Sequence, residues 1–371
     1  MTTTNFFRWS LGIFLVLGIF YVFPPGGPQP ADLFMAVIVM SALFGGLLRI
    51  EKIEVWLLLF VAYAFVVSSA WAVILTNPSL YLSAIFFLYN ALVYLIFQKY
   101  FSRYALGDYS LLLFIMTALF LEVSYMLLFE TISIRATGTF TNPNQMSYFG
   151  LCFTSLGLMV ANHEKRVLAG VVILLMGWVV VLFGLSKAAM IAMAYQTIVF
   201  GLLLKKRRGL FLALVAIAAF GVYFYVEDQI ISALARIEMI GEDSDDSLAG
   251  RGYDRIINDF QYVILGAGDG EYRRHDSVWR GEIHSSLATI FFCYGIPGSF
   301  LFFGFLFSVF RRNRSGFVIY IAPLLLYSVT HNGLRFTPFW ICLAACSQLG
   351  FQPRQWRDLG LSSLPGRLSP R

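Results

Sequence analysis

The sequence predicts an all-α polytopic membrane protein of about twelve transmembrane helices, and three observations carry that prediction. Of 371 residues, 58% are apolar, only 13% are charged, and phenylalanine fills 37 positions, whereas soluble domains carry about a quarter charged residues. Apolar runs of about 17–25 residues, enough for a helix to cross a bilayer, recur along the chain. The basic residues concentrate in alternate loops, as expected where Lys and Arg stay on the cytoplasmic side.

The runs fall near residues 9–23, 31–48, 55–75, 80–98, 109–129, 146–161, 167–185, 188–204, 209–226, 284–310, 317–330 and 336–350. The thinnest breaks are "GLSKAA", between the seventh and eighth runs, and "HNGLR", between the last two; either could be a kink or a re-entrant turn. Charge supports the full count. With the N-terminus inside, about 18 of the 27 basic residues lie in cytoplasmic segments, and merging any one pair of runs moves the later basic loops to the wrong face. The same parity makes the first run an uncleaved anchor despite the following "PPGGPQPA", because only one basic residue precedes it. The expectation is therefore a single integral membrane domain over residues 1–371, both termini cytoplasmic. One large external loop, residues 227–283, is inserted between the ninth and tenth spans and is too long for a plain connector.

The net charge of +6 follows from cytoplasmic loops facing anionic lipid headgroups and gives no reason to expect nucleic acid. Cys152, Cys293, Cys342 and Cys346 all sit inside apolar runs, as small core residues and not a disulfide or metal framework. Glu122, within the fifth span, is either a buried hydrogen-bonding residue or a functional carboxylate, and the first reading is preferred.

Within the external loop, Ile256, Ile257, Phe260, Val263 and Ile264 recur at helical spacing and predict an amphipathic helix lying on the outer membrane surface or capping the bundle. Arg251 and Arg255 would share a face of that helix if it extends so far. "GAGDGEY" (266–272) superficially matches a nucleotide-binding loop, but no βαβ unit surrounds it, so a flexible turn ending the surface helix is preferred. Nine basic residues violate the inside bias: Arg135, Lys187, Arg236, Arg251, Arg255, Arg273, Arg274, Arg280 and Arg335. Any one of them can snorkel to headgroups. Their convergence from several spans fits an anionic ligand such as a pyrophosphate. His284 and His331 fall at external span ends, where a lone histidine is commonly an interfacial hydrogen-bonding residue; "HNGLR" adds Arg335 at the same depth and favours a polar site.

"RATGTFTNPNQMSYFG" (135–150), "GLSKAAMIAM" (184–193), "ILGAGDGEY" and "EIHSSLATIFFCYGIPG" (282–298) follow one another in the order found in the O-antigen ligase and Wzy polymerase superfamily, which the chain resembles. That resemblance implies a membrane glycosyltransferase of GT-C type in the bacterial inner membrane, inverting and metal-independent, with no cofactor. It would transfer a glycan from undecaprenyl pyrophosphate to an acceptor hydroxyl on the periplasmic side. By position it implies His284 as general base and Arg135, Lys187, Arg251, Arg255 and Arg335 as pyrophosphate contacts. Asn142, Asn144, Glu282 and His331 would position substrate. Lys187 stands where many relatives have Arg, keeping the charge but losing the bidentate fork. The implied partners are the carrier-linked oligosaccharide, a lipid-linked acceptor glycan or lipid A–core, the surrounding lipids and a chain-length regulator. A Wzy-type polymerase is the preferred reading, with an O-antigen ligase as the alternative. A lipid-linked oligosaccharide flippase, the rival of another class, fits the span count but leaves the external loop without a task; such transporters also show half-to-half repeats, and none is visible.

Overall fold

A computed structural model describes residues 3–23, 27–46, 52–103, 109–130, 135–204 and 247–349, with isolated positions at 209, 211, 231, 234 and 235. The expected ninth span (209–226), Arg236 and the start of the external loop lie outside the described residues, as do "KKRR" and the tail after Leu349. Among the described residues the structure is helical throughout, with no strand.

Eight helices fill the first half: α1 Thr3–Leu17, α2 Pro30–Phe44, α3 Lys52–Ile74, α4 Tyr81–Phe101, α5 Ser110–Phe129, α6 Pro143–His163, α7 Val167–Gly184 and α8 Lys187–Leu203. After the external loop, which holds the short α9 (Asp254–Asn258), come α10 Ser286–Cys293, α11 Gly295–Arg312, α12 Arg314–Thr330 and α13 Thr337–Gln348. A π-helical turn, Phe317–Ile321, interrupts α12. Among the described residues, Glu54–Ile74, Pro78–Phe101, Ser110–Phe129 and Val167–Gly184 are long and apolar enough to cross a membrane; α1, α2, α8 and α12 are apolar but shorter. Large apolar side chains such as Phe44, Val66, Leu113, Phe120, Leu128, Ile198 and Phe300 point outward, the reverse of a water-soluble bundle and the surface that lipid tails cover.

The central helix is α6, flanked by α5, α7, α8, α12 and α13. Gly157 lets α6 approach α7 closely: a Cβ there would meet Ile173 at 2.8 Å. Such small residues set the packing where lipid removes the hydrophobic drive between helices. The four cysteines are free and buried. Glu122 is buried and accepts from the Thr139 amide (3.2 Å) and hydroxyl (2.7 Å), so it fastens the "TGTF" turn to α5.

Both thin breaks are real. Leu185, in the left-handed region at φ +47°, ends α7, and residues 331–336 separate α12 from α13. The run at 284–310 is not one span as expected. It divides at Gly295 (φ +66°), where "GIPG" turns the chain between α10 and α11. A Cβ on Gly295 would lie 2.6 Å from the Gly266 nitrogen and 2.7 Å from the Leu265 carbonyl carbon. Gly295→Ala combines a backbone clash with a strained φ, so it is expected to destabilise the protein by more than about 1 kcal/mol. Thermal unfolding in detergent checks this, and an unchanged midpoint would contradict it.

The Gly295 contact also corrects the reading of "GAGDGEY". Instead of a flexible turn it is a buried clasp: the Ala267 and Gly268 amides donate to the Phe292 and Cys293 carbonyls at the end of α10, both at 2.9 Å. Trp71 of α3 donates to the Gly266 carbonyl (2.9 Å), and Tyr63 donates to Leu265 (2.7 Å). The amphipathic helix is shorter than expected. α9 ends at Asn258, and Phe260–Val263 is a 3-10 turn. Val263 is buried, whereas Ile257, Phe260 and Ile264 are exposed. Arg251 precedes α9 in a turn closed by Gly252 (φ +76°), so it shares no helix face with Arg255.

Candidate functional site

Helix ends expected on the external side meet at one end of the bundle. There α7 turns into α8, the 135–145 segment enters α6, the strip 279–286 enters α10, and the strip 327–337 joins α12 to α13. The four segments enclose a cavity of about 360 Å³. Eight residues singled out in the sequence line it: Arg135, Asn142, Asn144, Lys187, Arg251, Glu282, His284 and His331.

Each is held by a specific local device. Asn142 caps α6, its side chain accepting from the Asn144 amide at 2.7 Å. Asn144 accepts from Arg135 Nη2 (2.7 Å) through its side chain and from the Tyr327 hydroxyl (2.9 Å) through its carbonyl. Arg135 Nε also donates to the Gly184 carbonyl (3.2 Å), which ties this segment to the α7–α8 turn. Lys187 opens α8, so its ammonium and the positive end of a 17-residue helix face the same space. Ser186, the residue before it, is buried with a hydroxyl that has no hydrogen-bond partner among the described residues.

Across the cavity, the Arg251 carbonyl accepts from the His284 amide (3.0 Å) and Arg251 Nη1 donates to Thr330 (2.7 Å). One residue thus joins both histidine strips. The His284 ring packs edge-on to Trp279, centroids 4.9 Å apart, and Trp279 Nε1 donates to the Glu282 carbonyl (2.9 Å). His331 stacks on Tyr327 at 4.7 Å, which stacks in turn on Tyr148 at 4.3 Å. The two serines after His284 are structural. Ser285 caps α10, accepting from Ala288 (3.2 Å). The Ser286 hydroxyl accepts from Gly333 (2.7 Å) and Leu334 (3.0 Å) and donates to the His331 carbonyl (3.1 Å).

Two expected pyrophosphate contacts do not join this cluster. Arg255 is fully buried, its Nη2 donating to the Trp279 (2.5 Å) and Gly281 (2.8 Å) carbonyls. It braces the strip leading to His284 and does not line the cavity. Arg335 donates through Nη2 to Asp269 (2.5 Å) and through Nη1 to Glu282 (2.7 Å), so both ends of its fork are matched by carboxylates. Burial alone would raise the Asp269 pKa. The Arg335 charge, with hydrogen bonds from Ser83 and Tyr272, outweighs that and holds the carboxyl below its ordinary range. Sequence reasoning missed Asp269, which lies inside the glycine-rich stretch set aside as a turn. It also missed Ser186, Trp279, Tyr327 and Asn332, although Ser186 and Asn332 are direct neighbours of residues it did choose.

Elsewhere in the external loop, His275 is buried against Phe292 and Tyr262. Burial, reinforced by the adjacent Arg274 charge, lowers its pKa to about 4. The folded loop therefore binds a proton at lower pH than the unfolded chain does. Stability should rise with pH across the window from about 4 to about 6.5, by at most about 3 kcal/mol. His275→Gln should flatten the pH dependence of the thermal midpoint over that window, and an unaltered slope would contradict this assignment.

Residues 169–303 match the family model described as O-antigen ligase, a stretch that contains Lys187, Arg251, Trp279, Glu282 and His284. No curated protein matches the chain.

Proposed function

We propose, from the match of residues 169–303 to the O-antigen ligase family model, that the chain is a membrane glycosyltransferase. It would move a glycan from undecaprenyl pyrophosphate to an acceptor hydroxyl at the periplasmic face of the bacterial inner membrane. The carrying observation is the convergence of Arg135, Lys187 and Arg251 on one cavity with His284. In this reading the three cations and the N-terminus of α8 hold the pyrophosphate, and the unpartnered Ser186 hydroxyl adds a donor.

The reaction is a single displacement at the anomeric carbon. The acceptor oxygen attacks while its proton passes to the imidazole of His284, and the bond from the anomeric carbon to the phosphate oxygen breaks with its electron pair. Pyrophosphate charge grows as that bond breaks. Cations fixed in a low-dielectric cavity stabilise the transition state more than the ground state, each donor contributing about 2–4 kcal/mol. One attack inverts the anomeric configuration, and the leaving group is stabilised by side chains without requiring a metal ion. Arg255 and Arg335 take no part in phosphate binding here: Arg255 is fully buried outside the cavity, and both ends of the Arg335 fork are engaged by carboxylates. Twelve spans of GT-C type with both termini cytoplasmic fit the basic loops and the gathering of alternate helix ends around this cavity.

The reading is tested in proteoliposomes with a radiolabelled carrier-linked repeat unit. Label on a lengthened undecaprenyl-linked chain marks the Wzy-type polymerase we favour, and label on lipid A–core marks a ligase. Movement of label across the bilayer without a new glycosidic bond would overturn the proposal in favour of a flippase.

A further inference from the structure

A second cavity, of about 530 Å³, adjoins the first, and Gln145, Glu282, Tyr327 and Asn332 line both. Part of its remaining wall comes from regions that neither the family model nor the sequence motifs cover: Tyr21 beyond α1, Asp32 at the start of α2, and Thr337 at the start of α13. Resting on the glycosyltransferase reading above, we infer that this cavity is the acceptor subsite, built for the hydroxyl-rich, uncharged end of a saccharide.

Charge separates the two cavities. The first presents Arg135, Lys187 and Arg251 against the single carboxylate of Glu282. The second presents Asp32 and Glu282 against Arg335 alone, and Arg335 is already paired with Glu282 and with Asp269. A pyrophosphate entering the second cavity would meet two carboxylates and a cation with both ends of its fork engaged, an arrangement that repels it. Neutral sugar hydroxyls suit the same groups, because a carboxylate accepts hydrogen bonds from two of them at once.

The carboxylate of Asp32 is fixed before any ligand arrives. Its Oδ2 accepts from the Gln29 amide (2.9 Å) as part of the capping box of α2. Gln29 itself is occupied in closing the loop before α2: its Oε1 accepts from Val22 (3.0 Å) and Phe23 (3.1 Å). Tyr148 and Tyr327, stacked on each other, also line the cavity, and Tyr327 is shared with the first. Deeper in, Phe14, Gly18 and Phe336 replace the polar lining. The cavity is thus amphipathic, which matches a saccharide carried on a lipid.

The geometry of displacement gives the same assignment. An oxygen attacking the anomeric carbon must approach from the side opposite the departing pyrophosphate. With the pyrophosphate among Arg135, Lys187 and Arg251, the acceptor hydroxyl arrives across the shared wall, and its sugar occupies the second cavity.

The test is a steady-state separation of donor and acceptor in proteoliposomes, run with undecaprenyl-linked repeat unit and, separately, lipid A–core as acceptor. Asp32→Asn keeps the cap oxygen and removes the charge; Thr337→Val keeps the shape and removes the hydroxyl. Each is expected to raise the acceptor KM about tenfold while the donor KM stays within twofold. Whichever acceptor shows that rise identifies the lipid on which the saccharide arrives. A selective rise in donor KM, an equal rise in both, or no change with either acceptor would overturn the inference. If Asp32→Asn fails to accumulate in the membrane, Thr337→Val, which lines the second cavity and not the first, decides alone. His284→Ala separates the two levels of the argument. Full transfer by that variant removes the parent reading, whereas an inactive His284→Ala beside an unaltered Asp32→Asn removes only the acceptor subsite.

Discussion

Replacing His284 by alanine is expected to slow glycan transfer by about two to four orders of magnitude, the range that a positioned general base contributes. The protein should still insert and purify, because the ring is half-buried and packs against Trp279 at the cavity wall. The backbone that carries the ring is fixed independently of it, by the His284 amide on Arg251 and by the Ser285 cap of α10. Loss of activity can therefore be read as lost chemistry once a thermal midpoint close to the parent's has been measured. The measurement is the initial rate of label transfer from the carrier-linked donor at saturating acceptor. A His284→Ala variant that transfers at the parent rate would show that the base is some other group, with His331 across the same cavity the next to be replaced.

The second large effect is structural. Arg335→Met is expected to cost about 3–5 kcal/mol of stability, since it leaves the carboxylate of Asp269 buried without its cation. The Asp269 side chain is 1% exposed, and its remaining partners are the hydroxyls of Ser83 and Tyr272. Pairing the change with Asp269→Asn removes the stranded charge, so the double variant should recover most of the loss. That recovery is the coupling a double-mutant cycle measures. The sign of the pH dependence follows from the lowered Asp269 pKa: the contribution is present above the ordinary carboxylate range and disappears as pH falls through the folded-state pKa. Parent stability from this network should therefore hold through neutral pH. Additive effects of the two substitutions would show that the pair is not coupled.

The same network shows how far sequence reasoning reached. Helix-length apolar runs and alternating basic loops laid out most of the helices among the described residues, although the 284–310 run proved to be two and the ninth run lies outside them; lipid imposes a length and a charge rule that can be read one residue at a time. They placed the breaks at "GLSKAA" and "HNGLR" and brought Arg135, Lys187, Arg251, His284 and His331 to one end of the bundle. They did not separate cations that face a cavity from cations spent on the fold. Arg251 and Arg255 are four residues apart and chemically identical, yet one lines the site and the other is buried under the carbonyls of Trp279 and Gly281. Nothing in their spacing distinguishes them, because the distinction depends on which backbone carbonyls the fold brings within reach.

"GAGDGEY" was undervalued for a related reason. Its glycines look like freedom when read along the chain. Folded, they are close approaches: Gly266 and Gly268 admit the end of α10 and the ring of Trp71, and Asp269, next after Gly268, reaches Arg335. "GIPG" likewise read as part of a span and proved to be its kink.

The sequence by itself determined the solvent this protein is built for, the division into helices and the residue types gathered at one face. Those follow from composition and period, which are local properties. The tertiary structure decided which charges remain available, which histidines share a cavity, and that a second, carboxylate-lined cavity lies against the cationic one. Those are set by pairings between residues such as Asp32 and Thr337, far apart along the chain, whose proximity exists only once the helices have packed.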